Sequence, residues 1–554
     1  MTAKITRRQA LLGVSSTLLL QAACSTTRMP RERANEVFAH GVASGDPDQS
    51  SVVIWTRVSG FDQSVDVGWT VAADAGFETI IAQGRVTTGS NRDHTVKVVV
   101  NELQPGQAFF YRFAAGAAIS PTGRSKTLPV GHLDKLVIAV ASCSNYPFGY
   151  FNAYDSIAND ADVDVVAHLG DYIYEYDEDG YGGDMGRRLG RVHAPRHEIV
   201  SLTDYRQRHA QYKSDAGSRA MHARHPLIVI WDDHESANNP WMEGAENHQP
   251  DEGDWPTRRA ASLKAFFEWM PVRDPAESSA PEKYWRHYKF GDLASLLTLE
   301  SRHTGRSEQI EYGDLSRFAN ADEAQDFYRD VVAAPDRNFL SDDMEAFLGT
   351  EFRESVSAGR RWRIIGNQSV MAHSVMPRID EPFFAELREQ LDNEGRATLD
   401  NLKHLGELRI PGDLDAWTGY PAARQRFFKL AQDAGVQDLL VLSGDSHSYW
   451  ANALYGDDGQ SMGVELGTTG ITSPRSLAVL GEQGLQRFDE LNAAINPGIV
   501  WANGRHRGYI RLAIDHDGAR ADYVAVTNIE SRDYDTNIIY TANIEHLGGT
   551  LRYA

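Results

Sequence analysis

Five apolar runs in this 554-residue chain end in side chains that can bind metals or move protons. LVIAVAS is followed by Cys143, DVVAHLG by Asp171-Tyr172-Ile173-Tyr174, and PLIVIW by Asp232-Asp233-His234-Glu235. RWRIIG is followed by Asn367-Gln368, and LLVLSG by Asp445-Ser446-His447. In open α/β sheets ligands bind beyond the carboxyl ends of the strands, so these clusters are expected to meet at one edge. Thiolate, phenolate and imidazole suit a softer or high-valent transition metal. A carboxylate-rich neighbour suits a hard divalent cation such as Ca²⁺ or Mn²⁺. Asp171 lies between Cys143 and the later acids in chain order and could bridge both. Two ions about 3.5–4 Å apart suit in-line displacement at phosphorus.

Each piece also has a plainer reading. Cys143 alone is more often a small buried hydrophobe. Asp171 could cap a helix, the acids at 232–235 could be a solvated loop, and His447 could be a core histidine. These readings leave the coincidence at one edge unexplained, because uncompensated carboxylates gathered together are costly unless cations balance them.

Positioning such residues takes buried strands. Residues 37–130 read as short strands rich in Val, Tyr, Phe and Trp with Gly and Pro turns between them, the pattern of a small β-sandwich. After Pro129, strand-like runs alternate with helical stretches such as 203–224 and 422–435, which indicates an α/β domain over 131–527. The segments 175–190 and 236–256 read as long functional loops, and 528–554 as a C-terminal tail.

The N-terminus, MTAKITRRQALLGVSSTLLLQAAC, has the layout of a cleaved export signal over residues 1–23. Its apolar part is too short to span a bilayer. Thr6-Arg7-Arg8 resembles a twin-arginine signal, and cleavage before Cys24 would expose a lipidation site ahead of a polar tether, 24–36. The expected location is therefore periplasmic or extracellular, with the export machinery as a partner and a lipid anchor at Cys24 as an option. Removing the signal takes away Lys4, Arg7 and Arg8 from a chain whose formal net charge is already −22. Such acidity argues against nucleic acid as a long-range partner. Cys24 and Cys143 are the two cysteines of the chain, and with Cys24 at the very start the mature chain cannot form a useful internal disulfide, which leaves Cys143 as a reactive, ligating or simply buried thiol.

HGVASGDPDQSSVVIWTR, GDYIYE, IWDDHESANN, DAWTGYPAARQR and LVLSGDSHSYW together resemble the PhoD-like alkaline phosphatases, over about Phe38 to Val526. The resemblance implies an immunoglobulin-like sandwich followed by a calcineurin-like metallophosphoesterase domain related to purple acid phosphatases. It implies Fe³⁺ and Ca²⁺ as cofactors and phosphate-ester small molecules as substrates. A hydroxide activated by the two metals would cleave phosphomonoesters and phosphodiesters. Carried over by motif, Cys143, Asp171, Tyr174 and His447 would hold Fe³⁺, and Asp171 and Asp445 would hold Ca²⁺. Asp233 stands where the wider superfamily has Asn and is a second calcium-ligand candidate with a catalytic role. His234 would orient a carboxylate or protonate the leaving oxygen, and Gln368 takes the place of a metal-binding His. Asn239, Arg188 and Arg302 are substrate-binding candidates, with Arg187 and Arg191 as further arginines for phosphate. Glu300-Ser301-Arg302 departs from the family's Asp-Thr-Arg. Two alternatives stand: a calcium-dependent phosphodiesterase or phospholipase D acting on phospholipids, and an exported binding protein without catalysis.

Overall fold

A computed structural model describes residues 36–475 and 477–554. The expectations for the leader, nearly all of the tether and Cys24 fall outside the described residues. No helix among the described residues is long and apolar enough to cross a membrane.

Two β-sheets lie face to face with helices covering both outer faces. Edge to edge, the first sheet runs Thr550–Tyr553, Thr536–Leu547, Gly518–Val526, Arg507–Asp515, Lys135–Ala141, Val165–His168, Pro226–Val229, Val42–Gly45, Val52–Arg57 and Thr95–Val100. The second runs His287–Phe290, Ala294–Thr298, Trp362–Gly366, Leu439–Ser443, Ser461–Gly467, Tyr449–Tyr455 and Ile499–Asn503.

The apolar runs are continuous because both faces of each central strand are covered. Along Lys135–Ala141, Leu136, Ile138 and Val140 enter the core between the sheets. Val137, Ala139 and Ala141 face the helical layer that holds Tyr154, Tyr205, Tyr212 and Phe266. The two-residue period of a strand sorts them. In Leu439–Ser443 the same alternation sends Leu440 and Leu442 inward. It sends Leu439 and Val441 outward, onto Met344, Leu348, Phe352 and Phe427. Truncating Ile138, which is fully buried, to Ala would cost about 2–5 kcal/mol.

The N-terminal sandwich shares a sheet with the α/β domain that follows it. Val42–Gly45 pairs in parallel with Pro226–Val229, and the five-stranded sheet of Val65–Ala72, Ile80–Thr88, Ala108–Ala115, Ala118–Ile119 and Gly123–Lys126 covers the other side of the core formed by Val52, Ile54, Val67, Val71 and Phe113. Buried Asp46 joins the two parts: it accepts a hydrogen bond from Tyr288 at 3.0 Å and pairs with Arg273 and Arg286, each at 3.1 Å.

The expected tail at 528–554 is corrected. Thr536–Leu547 pairs with Gly518–Val526, and Thr550–Tyr553 folds back onto it to form the sheet edge. Ala542, Ile544 and Leu551 enter the core between the sheets. Interspersed Thr and Asn mask the alternation, because an edge strand has one wet face.

Candidate active site

The chemistry-bearing loops leave the carboxyl ends of parallel strands in both sheets and converge. Lys135–Ala141 delivers Cys143, Val165–His168 delivers Asp171 and Tyr174, and Pro226–Val229 delivers residues 232–235, all from the first sheet. Ala294–Thr298 delivers Arg302, and Leu439–Ser443 delivers Asp445 and His447, both from the second. The turns are tight. Cys143, Asp171, Asn239, Asp445 and His447 all have left-handed backbone, with φ between 48° and 58°. Non-glycine residues rarely adopt this conformation, and it gathers at functional sites where the surroundings enforce it. Gly170 has φ 105°, and a Cβ there would lie 2.4 Å from the Asp232 Cβ. Only glycine lets these two loops pass so closely.

Glu235 fastens the loops together. Its carboxylate accepts the backbone N–H groups of Asp171 at 3.0 Å, Tyr172 at 2.6 Å and Asp232 at 2.9 Å.

Three overlapping sets of donor atoms result, each within 4.8 Å: Cys143, Asp171 and His447; Asp171, Asp233 and His234; and Asp171, Asp232, Asp233 and Asp445. Asp171 belongs to all three. The Tyr174 hydroxyl stands 3.1 Å from both the Asp171 carboxylate and His447 Nε2. His447 Nδ1 is 2.8 Å from the Pro474 carbonyl, which fixes the ring so that Nε2 faces the cluster, as a second partner does for a metal-binding histidine. His234 Nδ1 is 2.7 Å from Glu175, and its Nε2 is 3.7 Å from Asp233.

The electrostatics are those of an anionic pocket out of water. Burial, reinforced by neighbouring carboxylates, pushes Asp171 and Asp445 well above the usual range. Burial lifts Asp232 to about 7 against the pull of Arg302, and Glu235 to about 7. Burial also raises the Cys143 thiol well above its ordinary value. Burial opposes charge on His234, but Asp233 and Glu175 outweigh it and lift the imidazole to about 9. Buried Asp232 Oδ2, Asp233 Oδ1 and Arg302 Nη2 have no hydrogen-bond partner. Unpartnered carboxylate oxygens beside a thiol, a phenol and an imidazole fit a metal centre. Cations there would offset repulsion that is otherwise costly.

A cleft of about 770 Å³ opens from Asp233, His234, Asp445 and His447. Tyr176, Tyr181, Asn238 and Asn239 from the two long loops line it, together with the apolar Met376, Leu402, Leu405, Leu477 and Phe488. Asn239 donates its backbone N–H to Asp233 at 3.1 Å and faces the cleft.

Several expectations are corrected. Gln368 has no free amide: Nε2 donates to the carbonyls of Trp231 and Leu299, and Oε1 accepts from Ser301. It ties strand ends together rather than offering a ligand atom. Arg188 is exposed and pairs with Glu530, and Arg187 pairs with Asp179 and Asp184 on the surface. Arg191 is buried against Tyr146 and Asp215. Arg302 is at the centre but does not line the cleft. It holds Asp232 at 2.5 Å and Asp415 at 2.7 Å, with Nη2 3.7 Å from Asp233 and 4.0 Å from Asp445. It is a buried countercharge. Glu300, at the departure from the family pattern, accepts the N–H groups of Arg302, His303 and Thr304 and so shapes the turn that carries Arg302.

Sequence reasoning did not assign roles to Asp232, Glu175 or Arg475. Asp232 lies beside Asp233 past the strand end, where the chain has left the two-residue alternation and both carboxylates join one donor set. Arg475 lines the cleft and pairs with Asp489 at 2.6 Å; no apolar run precedes it to flag it.

Two family models match the chain: PhoD-like phosphatase over residues 138–523, and the PhoD-like phosphatase N-terminal domain over residues 23–129. Alkaline phosphatase D of Bacillus subtilis (strain 168) is 32% identical over 503 residues, which is 88% of this chain and 77% of that protein. A solved structure of PhoD is 30% identical, with TM-score 0.75 over 94% of this chain and 92% of that one. These matches set aside the non-catalytic alternative. The chain belongs to the PhoD-like phosphatase family and is a hydrolase of phosphoric esters.

Proposed function

We propose that the chain is an exported alkaline phosphatase that cleaves phosphomonoesters and phosphodiesters at a two-cation centre. The observation that carries this reading is the sharing of Asp171 among three donor groups of different character. Cys143, Asp171, Tyr174 and His447 would hold iron, and Asp171, Asp232, Asp233 and Asp445 would hold calcium. The bound cations supply Lewis acidity, which offsets phosphoryl charge and acidifies the attacking water.

The chain's own residues supply orientation and protons. Glu175 holds His234 through Nδ1, so Nε2 can give a proton to the leaving oxygen in the cleft. Arg302 fixes Asp232 and Asp415 and keeps part of the negative charge balanced. Asn239, beside Asp233, offers a polar contact to the bound ester. Export rests on Thr6-Arg7-Arg8 and the apolar run that follows.

One observation favours a second reading, a phosphodiesterase or phospholipase D acting on lipid esters: the apolar side chains among the residues that line the cleft. Rates on p-nitrophenyl phosphate, bis-p-nitrophenyl phosphate and phosphatidylcholine separate the two. Turnover of both aryl esters supports the first reading. Turnover of phosphatidylcholine alone supports the second.

A further inference from the structure

We propose that His132, Asp292 and His516 form a second metal site, of the zinc class, at the end of the molecule opposite the catalytic cleft. These three offer donor atoms within 4.8 Å of one another. They come from three separate turns. His132 lies in the link between the sandwich and the strand Lys135–Ala141. Asp292 lies in the hairpin between His287–Phe290 and Ala294–Thr298. His516 lies in the turn between Arg507–Asp515 and Gly518–Val526.

The topology fixes where the cluster sits. Asp515 is in register with Lys135, at the start of the strand that ends beside Cys143. Asp292 precedes Ala294–Thr298, which runs parallel to the strands that feed the catalytic edge. Seven residues of strand at about 3.3 Å each separate this cluster from Cys143 by roughly 20 Å. The cluster therefore joins the two sheets at their far end and shares no ligand with the catalytic centre.

The donor geometry suits a small divalent ion. His132 Nδ1 is 2.9 Å from Asp292 Oδ2, and His516 Nε2 is 3.6 Å from Asp292 Oδ1. Tetrahedral zinc with bonds of about 2.0–2.2 Å keeps its donors roughly 3.3–3.6 Å apart, so small movements suffice. The other ring nitrogen of His132 lies 3.1 Å from Asp134 Oδ1. A carboxylate behind a histidine in this way fixes the ring and strengthens it as a ligand. The two imidazoles stack at 5.0 Å and 17°, so their edges are side by side toward one carboxylate. His516 Nε2 also lies 3.1 Å from the Leu133 carbonyl, an interaction that metal binding would replace. Two imidazoles and a carboxylate favour Zn²⁺ over Ca²⁺ or Mg²⁺.

A second cluster outside the catalytic centre, His287, Glu351 and Glu354, shows the contrast. There Lys289 and Arg360 already neutralise Glu354. Among the described residues, the side-chain ion pairs of Asp292 are with the two histidines alone. The nearby Arg361 guanidinium is spent on the carbonyls of His516 and His546.

The test is Zn²⁺ titration of the full-length protein and of two variants, His132→Ala/His516→Ala and Asp292→Asn. Zinc taken up by the catalytic centre is common to all three proteins and cancels in the difference. The wild type should bind an additional equivalent that the double variant lacks. Asp292→Asn, which preserves shape, should bind that equivalent at least tenfold more weakly. Zinc should raise the thermal midpoint of the wild type more than that of either variant, while phosphatase activity without added zinc stays equal in all three. The same zinc stoichiometry and affinity in all three proteins would overturn the site.

Discussion

The strand Lys135–Ala141 leads at its two ends to metal-binding residue types in opposite settings. At its carboxyl end, Cys143, Asp171 and Asp233 are at most 2% exposed. Their loops are bent into left-handed backbone at Cys143 and Asp171, and polar atoms there lack partners. At its amino end, the His132 side chain is 64% exposed and Asp292 42%. None of His132, Asp292 and His516 has left-handed backbone, and each side chain has hydrogen-bond partners. In the buried cluster, charge cannot be screened by water, so the fold holds a costly arrangement that bound cations would relieve. In the exposed cluster, water screens charge and little is stored. In our proposals the same chemical types therefore carry catalysis at one end and a structural ion at the other.

Breaking the buried end should have the largest effects. Asp171→Asn removes the carboxylate common to all three donor groups. We expect kcat/KM on p-nitrophenyl phosphate to fall roughly 10³-fold or more, the equivalent of several kcal/mol of charge stabilisation. A variant within tenfold of wild type would contradict its bridging place. His234→Ala should lower turnover of an alkyl phosphate by about 10²-fold or more. It should cost much less on p-nitrophenyl phosphate, whose leaving group needs no proton. Equal losses on both esters would remove His234 from the proton-transfer role.

Gly170→Ala tests the scaffold rather than the chemistry. The added methyl meets Asp232 in a backbone conformation that strains any side chain. Denaturant unfolding should show a loss of about 3 kcal/mol; an unchanged midpoint would mean that the loops have room to separate. At the exposed end, Asp134→Asn should leave phosphatase activity unaltered and weaken zinc binding by about tenfold or more. A loss of activity there would show that the two ends are coupled, contrary to the comparison.

The catalytic edge was legible in the sequence because buried strands read as unbroken apolar runs, and the residues just past each run mark one edge. The layered fold followed from the same runs. What lay beyond reach was set by loop geometry. Arg188 and Arg302 look alike in the sequence, yet one pairs with Glu530 on the surface and the other is buried among Asp232, Asp233 and Asp415. Gln368 follows an apolar run as Cys143 does, but its amide is consumed by the carbonyls of Trp231 and Leu299, just past the ends of one strand from each sheet. The last two strands hid behind Thr and Asn on a wet edge. No periodicity joins His132, Asp292 and His516, which only the three-dimensional fold brings together.

The central claim is that Cys143 and its neighbours form a metal centre on which hydrolysis depends. Elemental analysis of the full-length protein folded in the cytoplasm, alongside Cys143→Ala and with phosphatase rates on the same samples, tests it most directly. Iron and calcium are expected in the wild type, with iron and activity lost together in the variant. An iron-replete, fully active Cys143→Ala protein, or an active wild type free of iron, would contradict it.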